Sequence, residues 1–404
     1  MISVAEARSR ILAGVEPLPA EWVMLSEAHG RVLAADALSR RTQPPLAVSA
    51  MDGYAVRGED VRSAPATLRQ VGAVAAGQVY RGSVGPGEAV RIFTGAPLPD
   101  GADTVVIQEN VRAEDAAITV LEPATAGRHV RRAGIDFREG EVGLPAGRRL
   151  TSRDIGLAAG MNLPWLPVRR RPRVAILATG DEIVLPGEPL GEGQIIGSSG
   201  PALAAFIRSC GGLPVSLGVA RDRRDDLQER ARGAAGADIL VTLGGASVGE
   251  HDLVQSALAE QGLTLEFWKI AMRPGKPLMF GHMGAMRMLG LPGNPVSTMV
   301  CALLFLRPLI AGFLGRSDAE APHLRARLAA PLGANDIRED YLRATLSRDA
   351  DGALIARPFE VQDSSMLAAL ARADALLVRP PHAPPASAGE LVEVIPFDPD
   401  GAGF

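Results

Sequence analysis

The sequence predicts a multi-domain chain of mixed α/β and β architecture: a three-layer α/β domain, a small β-rich domain, a discontinuous helical linker domain and a C-terminal β-barrel-like domain. Three observations carry this. The 404 residues exceed the ~100 to 200 of one ordinary domain. The 45 glycines and 31 prolines mark many turns and short elements rather than a helical bundle. From 174 to 313, strand-like apolar runs alternate with helical ones, the pattern of a mostly parallel sheet covered on both faces.

The elements follow in order. Residues 1–44 predict two helices, Val4 to Val15 and Ser26 to Leu38, before Pro44-Pro45 stops helix formation. Between 45 and 134 short β-type runs (54–56, 68–74, 89–93, 104–108, 118–121) are separated by Gly, Pro and Asp turns. Residues 135–169 return to a partly helical pattern, with Thr151-Ser152 as the N-cap of a helix ending near Met161. This segment is expected to pack back on the first helices, making 1–44 plus 135–169 the linker domain and 45–134 the β-rich one. Arg169-Arg170-Arg171-Pro172 reads as a linker into the α/β domain at 170–317. There the expected strands are 174–178, 215–219, 239–243, 264–268 and 287–290, and the expected helices 201–210, 225–235, 252–261 and 295–313. Residues 318–404 are β again, with runs at 324–329, 341–346, 353–357, 374–378 and 391–396.

Composition excludes several function classes. The formal charge of -4 argues against a nucleic-acid binder. The six histidines lack metal-ligand spacing, and Cys210 and Cys301 lie in separate apolar runs, so zinc is not expected and the thiols read as buried and reduced. The N-terminus has acidic and basic residues in place of a signal peptide's apolar core, and the apolar run 299–306 is too short to span a bilayer. A cytoplasmic protein without membrane or nucleic-acid partners is the expectation. Of 42 basic residues only Lys269 and Lys276 are lysine. Lysines kept seven residues apart in such an arginine-rich chain suggest sites where a compact point cation matters.

The candidate chemistry lies at strand ends, where ligands of such sheets bind. Thr179-Gly180-Asp181-Glu182, then 244–249 (with Gly244, Gly245, Ser247 and Gly249), then Pro292-Gly293-Asn294-Pro295-Val296-Ser297 each follow a strand. Backbone N–H groups at such junctions cradle phosphate or another oxyanion. Lys269, Arg273 and Lys276 follow another strand and are expected to converge as cations beside these loops. Glu182, Asp222 and Asp252 also cluster at the junctions. Acids among phosphate loops suggest a hard divalent cation, Mg2+.

Taken together, SAMDGYAV (49–56), FTGAP (93–97), ATGDE (178–182), GGASVG (244–249), MRPGKP (272–277) and LPGNPVS (291–297) resemble the molybdenum insertases. These are the molybdopterin molybdenumtransferases, a family that includes bacterial MoeA and the gephyrin E domain, and the motifs occur in order along essentially the whole chain. The resemblance implies an elongated cytoplasmic homodimer that takes adenylylated molybdopterin and molybdate, releases AMP with the help of Mg2+ and leaves molybdenum on the dithiolene. It further implies as partners the upstream molybdopterin adenylyltransferase and recipient molybdoenzymes. Position by position, it implies that Asp52 and Thr94 face the α/β domain of a partner subunit and that Asp136 matches a family acid. Glu182 and Asp222 match acids near the nucleotide and metal, and Asp252 the aspartate after the glycine loop. Lys269, Arg273 and Lys276 match the cationic segment, while Arg343 and Ser364 come from the C-terminal domain. The chain departs from its relatives at Leu46-Ala47-Val48, commonly Phe-Asp-Asn, and at 196–199, commonly Tyr-Asp-(Ser/Thr)-Asn. Two other functions remain open from the residues: an adenylyltransferase or pyrophosphatase using the same α/β domain, and a non-enzymatic scaffold.

Overall fold

The computed structural model describes residues 1–244, 251–316 and 323–397. Its centre is a six-stranded sheet in the order Leu213–Ala220, Arg173–Thr179, Ile239–Leu243, Met286–Leu291, Met279–Met283, Leu263–Trp268. The pairings among the first four strands are parallel, and Met279–Met283 runs against both of its neighbours. Alternation along the strands dictates the layers. Val174 and Ile176 face one core with Leu203, Ile207 and the helical run from 295 to 313. Ala175 and Leu177 face the other, with Leu227, Ala231, Val254 and Leu258. Each fully buried aliphatic side chain contributes about 1.5 to 3 kcal/mol, so the two faces hold the sheet rigidly.

The sequence pattern misses Met279–Met283. It forms a hairpin with Met286–Leu291, closed at Gly284-Ala285, where Gly284 takes φ +61°, as a tight two-residue turn requires. The helical run Pro295–Phe313 is long and apolar enough to cross a membrane, but 78% of it is buried in this core. It contains a π-helical stretch, Ala302–Leu306, and burial on most sides is why it is so apolar.

Residues 324–396 form a closed barrel: Glu339–Arg348, Leu354–Pro358, Leu324–Leu328, Leu391–Pro396 and Ala375–Arg379, with the last pairing back on the first. Met272–Arg273 adds to it in parallel with Glu339-Asp340. The cationic segment is therefore the seam between α/β sheet and barrel, a tie made by backbone pairing that no periodicity reveals.

A second six-stranded sheet is built from Thr104–Ile107, Gly53–Val56, Glu88–Ile92, Ala66–Val74, Ala117–Val120 and Val111–Glu114. Segments on either side of it pair with each other: Ala20–Met24 with Trp165–Arg169, and Ala37–Leu38 with Val142–Leu144. The expected helix from Ser26 to Leu38 is absent. One 3-10 turn, Leu25–Glu27, takes its place. Gly30 then turns the chain at φ +73°, and the N–H groups of Gly30 and Leu33 bond to the carbonyls of Leu150 and Arg148. Cross-chain bonds and the burial of Arg31, Val32 and Leu33 in succession override a pattern that fits a helix locally. The helix near 151–161 does form, as Ser152–Gly160, with Thr151 and Asp154 making a capping box. The first helix, Val4–Leu12, packs through Val4, Ala7 and Ile11 on the α/β core.

Candidate active site

The carboxyl ends of the parallel strands open into a cavity of about 870 Å³. The strand order places it where the chain leaves Arg173–Thr179 for neighbours on opposite sides, the crevice in which open α/β sheets bind ligands. Thr179, Gly180, Glu182, Asp222, Gly244 and Pro292-Gly293-Asn294 all line it. Thr179 ties two strand ends by donating its hydroxyl to the Leu243 carbonyl at 3.2 Å. Gly244 has φ +91°, and a Cβ there would meet the Thr179 carbonyl oxygen at 2.8 Å. Only glycine lets these loops approach so closely.

Asp181, not singled out from sequence beyond its motif, braces Asp222. The Asp181 N–H donates to the Asp222 carboxylate, and the Asp222 N–H donates to that of Asp181, both at 3.3 Å. Arg221 donates to the Asp181 carbonyl at 3.2 Å. Glu182 lies beside Gly180, its carboxylate 2.6 Å from where a Cβ would project. Among the described residues no group of three or more His, Cys, Asp or Glu side chains is placed to hold a metal alone. Two carboxylates lining one cavity instead match the donor set of Mg2+, which takes one or two protein carboxylates and completes its shell from water and substrate phosphate.

The barrel reaches this edge through residues 363–365. Asn294 donates its amide to the Ser364 hydroxyl at 2.8 Å, and the Val296 N–H donates to the Ser364 carbonyl at 3.1 Å. Ser365, which no sequence signal marks, lines the cavity itself. Its hydroxyl donates to Asp363 at 2.6 Å and holds that carboxyl below its usual range. Arg343 lies behind this loop and is 1% exposed. Its guanidinium donates to the Gln362 side chain at 3.1 Å and the Asp363 carbonyl at 2.8 Å, and burial lowers its pKa. It shapes the Ser364 loop. Ser297 is buried one turn into its helix.

The three cations are not gathered on the cavity wall. Lys269 has φ +79° and sets its ammonium 3.6 Å above the Trp268 ring centroid. Arg273 turns to the barrel, paired with Asp340 and lying 3.6 Å from Asp336. A guanidinium fork spans two carboxylates as a point ammonium does not, which explains arginine at 273. Asp340 is 4% exposed. Lys276 is exposed, directly before the cavity-lining Pro277.

Asp52 and Thr94 meet in the loops at the end of the second sheet, just before Gly53–Val56 and just after Glu88–Ile92. The Thr94 N–H and hydroxyl donate to one Asp52 oxygen at 2.7 and 2.8 Å, and these bonds hold the carboxyl below its ordinary pKa. Asp136 is exposed beside the Gln43 strand bridge. None of the three lines the cavity. Gly245, Ser247 and Gly249 lie outside the described residues, as does the Asp252 side chain.

Three family profiles match the chain. The MoeA N-terminal region (domain I and II) matches residues 2–161, a probable molybdopterin binding domain matches 175–312, and the MoeA C-terminal region (domain IV) matches 325–397. A molybdopterin molybdenumtransferase of Haemophilus influenzae is 34% identical over 402 residues, 98% of this chain and 99% of the relative. One of a Nostoc species is 40% identical over 310 residues, 75% of this chain and 71% of the relative. Among solved structures, a molybdopterin biosynthesis MoeA protein from Pyrococcus horikosii has a TM-score of 0.86 at 32% identity and covers 98% of this chain and 99% of its own.

Proposed function

The chain belongs to the molybdopterin molybdenumtransferase family, and from that premise we propose how its residues insert molybdenum into molybdopterin. The reading rests above all on one observation: loops from separate strands and a serine of the barrel converge on one cavity bearing two carboxylates. The glycine loops at 180, 244 and 293 line the cavity without side chains and let the phosphoanhydride of adenylylated molybdopterin approach the strand ends, where the Gly180 and Gly244 N–H groups are tied to the Ala220 and Leu291 carbonyls. Glu182 and Asp222 would hold Mg2+, which when bound neutralises anhydride charge. Lys269 and Lys276 attract molybdate, a dianion, with Ser364 as a hydroxyl donor, while Ser365 (its hydroxyl given to Asp363), Arg273 and Arg343 hold the seam and the serine loop. A molybdate oxygen attacks the adenylyl phosphorus and the pterin phosphate leaves; AMP departs with that oxygen, and molybdenum, one oxo group short, takes the two dithiolene sulfurs as their protons pass to solvent. Positioning and charge neutralisation carry the step, and the protein supplies no nucleophile.

The chain divides, in this reading, into 1–44 plus 135–169, 45–134, 170–317 and 318–404, supported by the cores around Leu166, Val106, Leu177 and Leu377, with a further core joining Val4, Ala7 and Ile11 and the barrel's Tyr341 and Leu376 to the α/β sheet. Asp52, Thr94 and Asp136 lie away from the chain's own cavity lining, so they act on the cavity of a second copy, and the protein works as a homodimer in the cytoplasm. The upstream adenylyltransferase supplies its substrate, and recipient molybdoenzymes take its product.

Incubation with adenylylated molybdopterin, Mg2+ and molybdate tests the reaction. AMP release that depends on molybdate is expected; AMP release without it, or formation of adenylylated pterin from ATP, sinks the insertase assignment. Mixing inactive Asp52→Asn and Glu182→Gln proteins should recover activity through mixed dimers. No recovery after subunit exchange would place all these groups in one subunit's site.

A further inference from the structure

One wall of the cavity is apolar. Ile183, Leu185, Ile195 and Ile196 line it, and Leu185, Ile195 and Ile196 are 43%, 55% and 42% exposed. They sit on a small parallel ribbon, Ile183–Val184 paired with Ile195–Ile196. The ribbon is tied to the catalytic edge: the Ile195 N–H donates to the Glu182 carbonyl, and the Gly197 N–H to the Val184 carbonyl, both at 2.8 Å. A ligand whose phosphate is drawn to the edge of Glu182 and Gly244 therefore extends its next group toward these side chains. Clustered aliphatic groups facing a cavity mark a place where a ligand buries apolar surface. They offer no donors or acceptors, so they select a flat face and not a hydrogen-bonding edge.

We propose that Ile195 and Ile196, backed by Leu185, form a platform for the flat heteroaromatic ring of the substrate, either its purine or its pterin. This rests on the function proposed above and assigns to this chain an aliphatic ring contact that includes Ile196, the position at which relatives commonly carry Tyr.

Calorimetric titration with AMP, ribose 5-phosphate and 6-hydroxymethylpterin phosphate tests it on the intact protein. The Ile195→Ser/Ile196→Ser variant should weaken one ring-bearing ligand about tenfold and leave ribose 5-phosphate unchanged. Loss for AMP identifies the purine, and loss for the pterin phosphate identifies the pterin. Ile196→Tyr should keep the affinity, since an aromatic face serves the same contact. If the parent protein binds the ring ligands and the serine variant does so equally well, the platform is wrong while the insertase reading stands. If the parent binds neither, both fail. Unchanged ring affinity with an altered sedimentation coefficient would assign the ribbon to a subunit interface and also overturn the platform.

Discussion

The carboxyl edge of the α/β sheet and the seam where that sheet meets the barrel both carry paired opposite or like charges, but they use them differently. At the sheet edge Glu182 and Asp222 are exposed to the cavity and meet mainly backbone groups. At the seam Arg273 is committed to Asp340 and Asp336, and Arg343 to Gln362 and Asp363. The difference teaches that a cation in a functional motif need not be a substrate contact. A guanidinium that satisfies buried acceptors holds a loop in place, whereas the ammonium groups at 269 and 276 in the same segment as Arg273 form no ion pair among the described residues.

Three changes sharpen that contrast. The largest effect is expected from Lys269→Ala, which should cut molybdate-dependent AMP release by more than about 10²-fold while leaving the unfolding transition in place. Lys269→Arg should recover only part of it, because the charge is restored without its compact shape. Activity close to that of the parent in Lys269→Ala would remove this lysine from the reaction. Arg343→Ala should instead lower stability by about 3 kcal/mol, since it empties a fully buried position and leaves the Asp363 carbonyl without its donor, while the backbone N–H at 343 still donates to Gln362. Urea unfolding measures this, and an unchanged midpoint would contradict a structural role.

The smallest effect concerns pH. The hydrogen bond from Arg338 holds the Asp336 carboxyl down to about 2, with Arg273 adding a weaker pull. A carboxylate whose folded pKa is depressed adds stability above its unfolded value, ~3.9, and loses it as pH falls through the folded one. Its contribution therefore disappears between ~4 and about 2. Arg338→Ala should move the Asp336 titration, followed by carboxyl-carbon NMR, back toward the ordinary value. A titration that stays low would transfer the effect first to the backbone N–H at 338, which the substitution keeps, and then to Arg273.

Most strands and helices of the α/β domain were legible because each buries a face with its own period. The strand Ile239–Leu243 coincides with its expected range, and the loops at 179–182 and 291–294 follow strands as their glycines suggest. The helix expected at 26–38 failed because the partners of its backbone, at 147–150 and 167, lie more than a hundred residues away. Ser365 and the Asp340 contact were invisible for the same reason. Each gains its role only when the barrel closes and brings residue 273 to 340 and residue 294 to 364.

The sequence by itself determined most of the element order in the α/β domain, the glycine loops at the sheet edge, the family resemblance and the isolation of Lys269 and Lys276 among arginines. These depend on local conformational preference and on composition, which are written within a few residues of each other. Tertiary structure alone decided which charges stay available. Burial and partners at long sequence distance neutralise Arg273 and hide Arg343, and they leave Glu182, Asp222 and an apolar ribbon open to a single cavity.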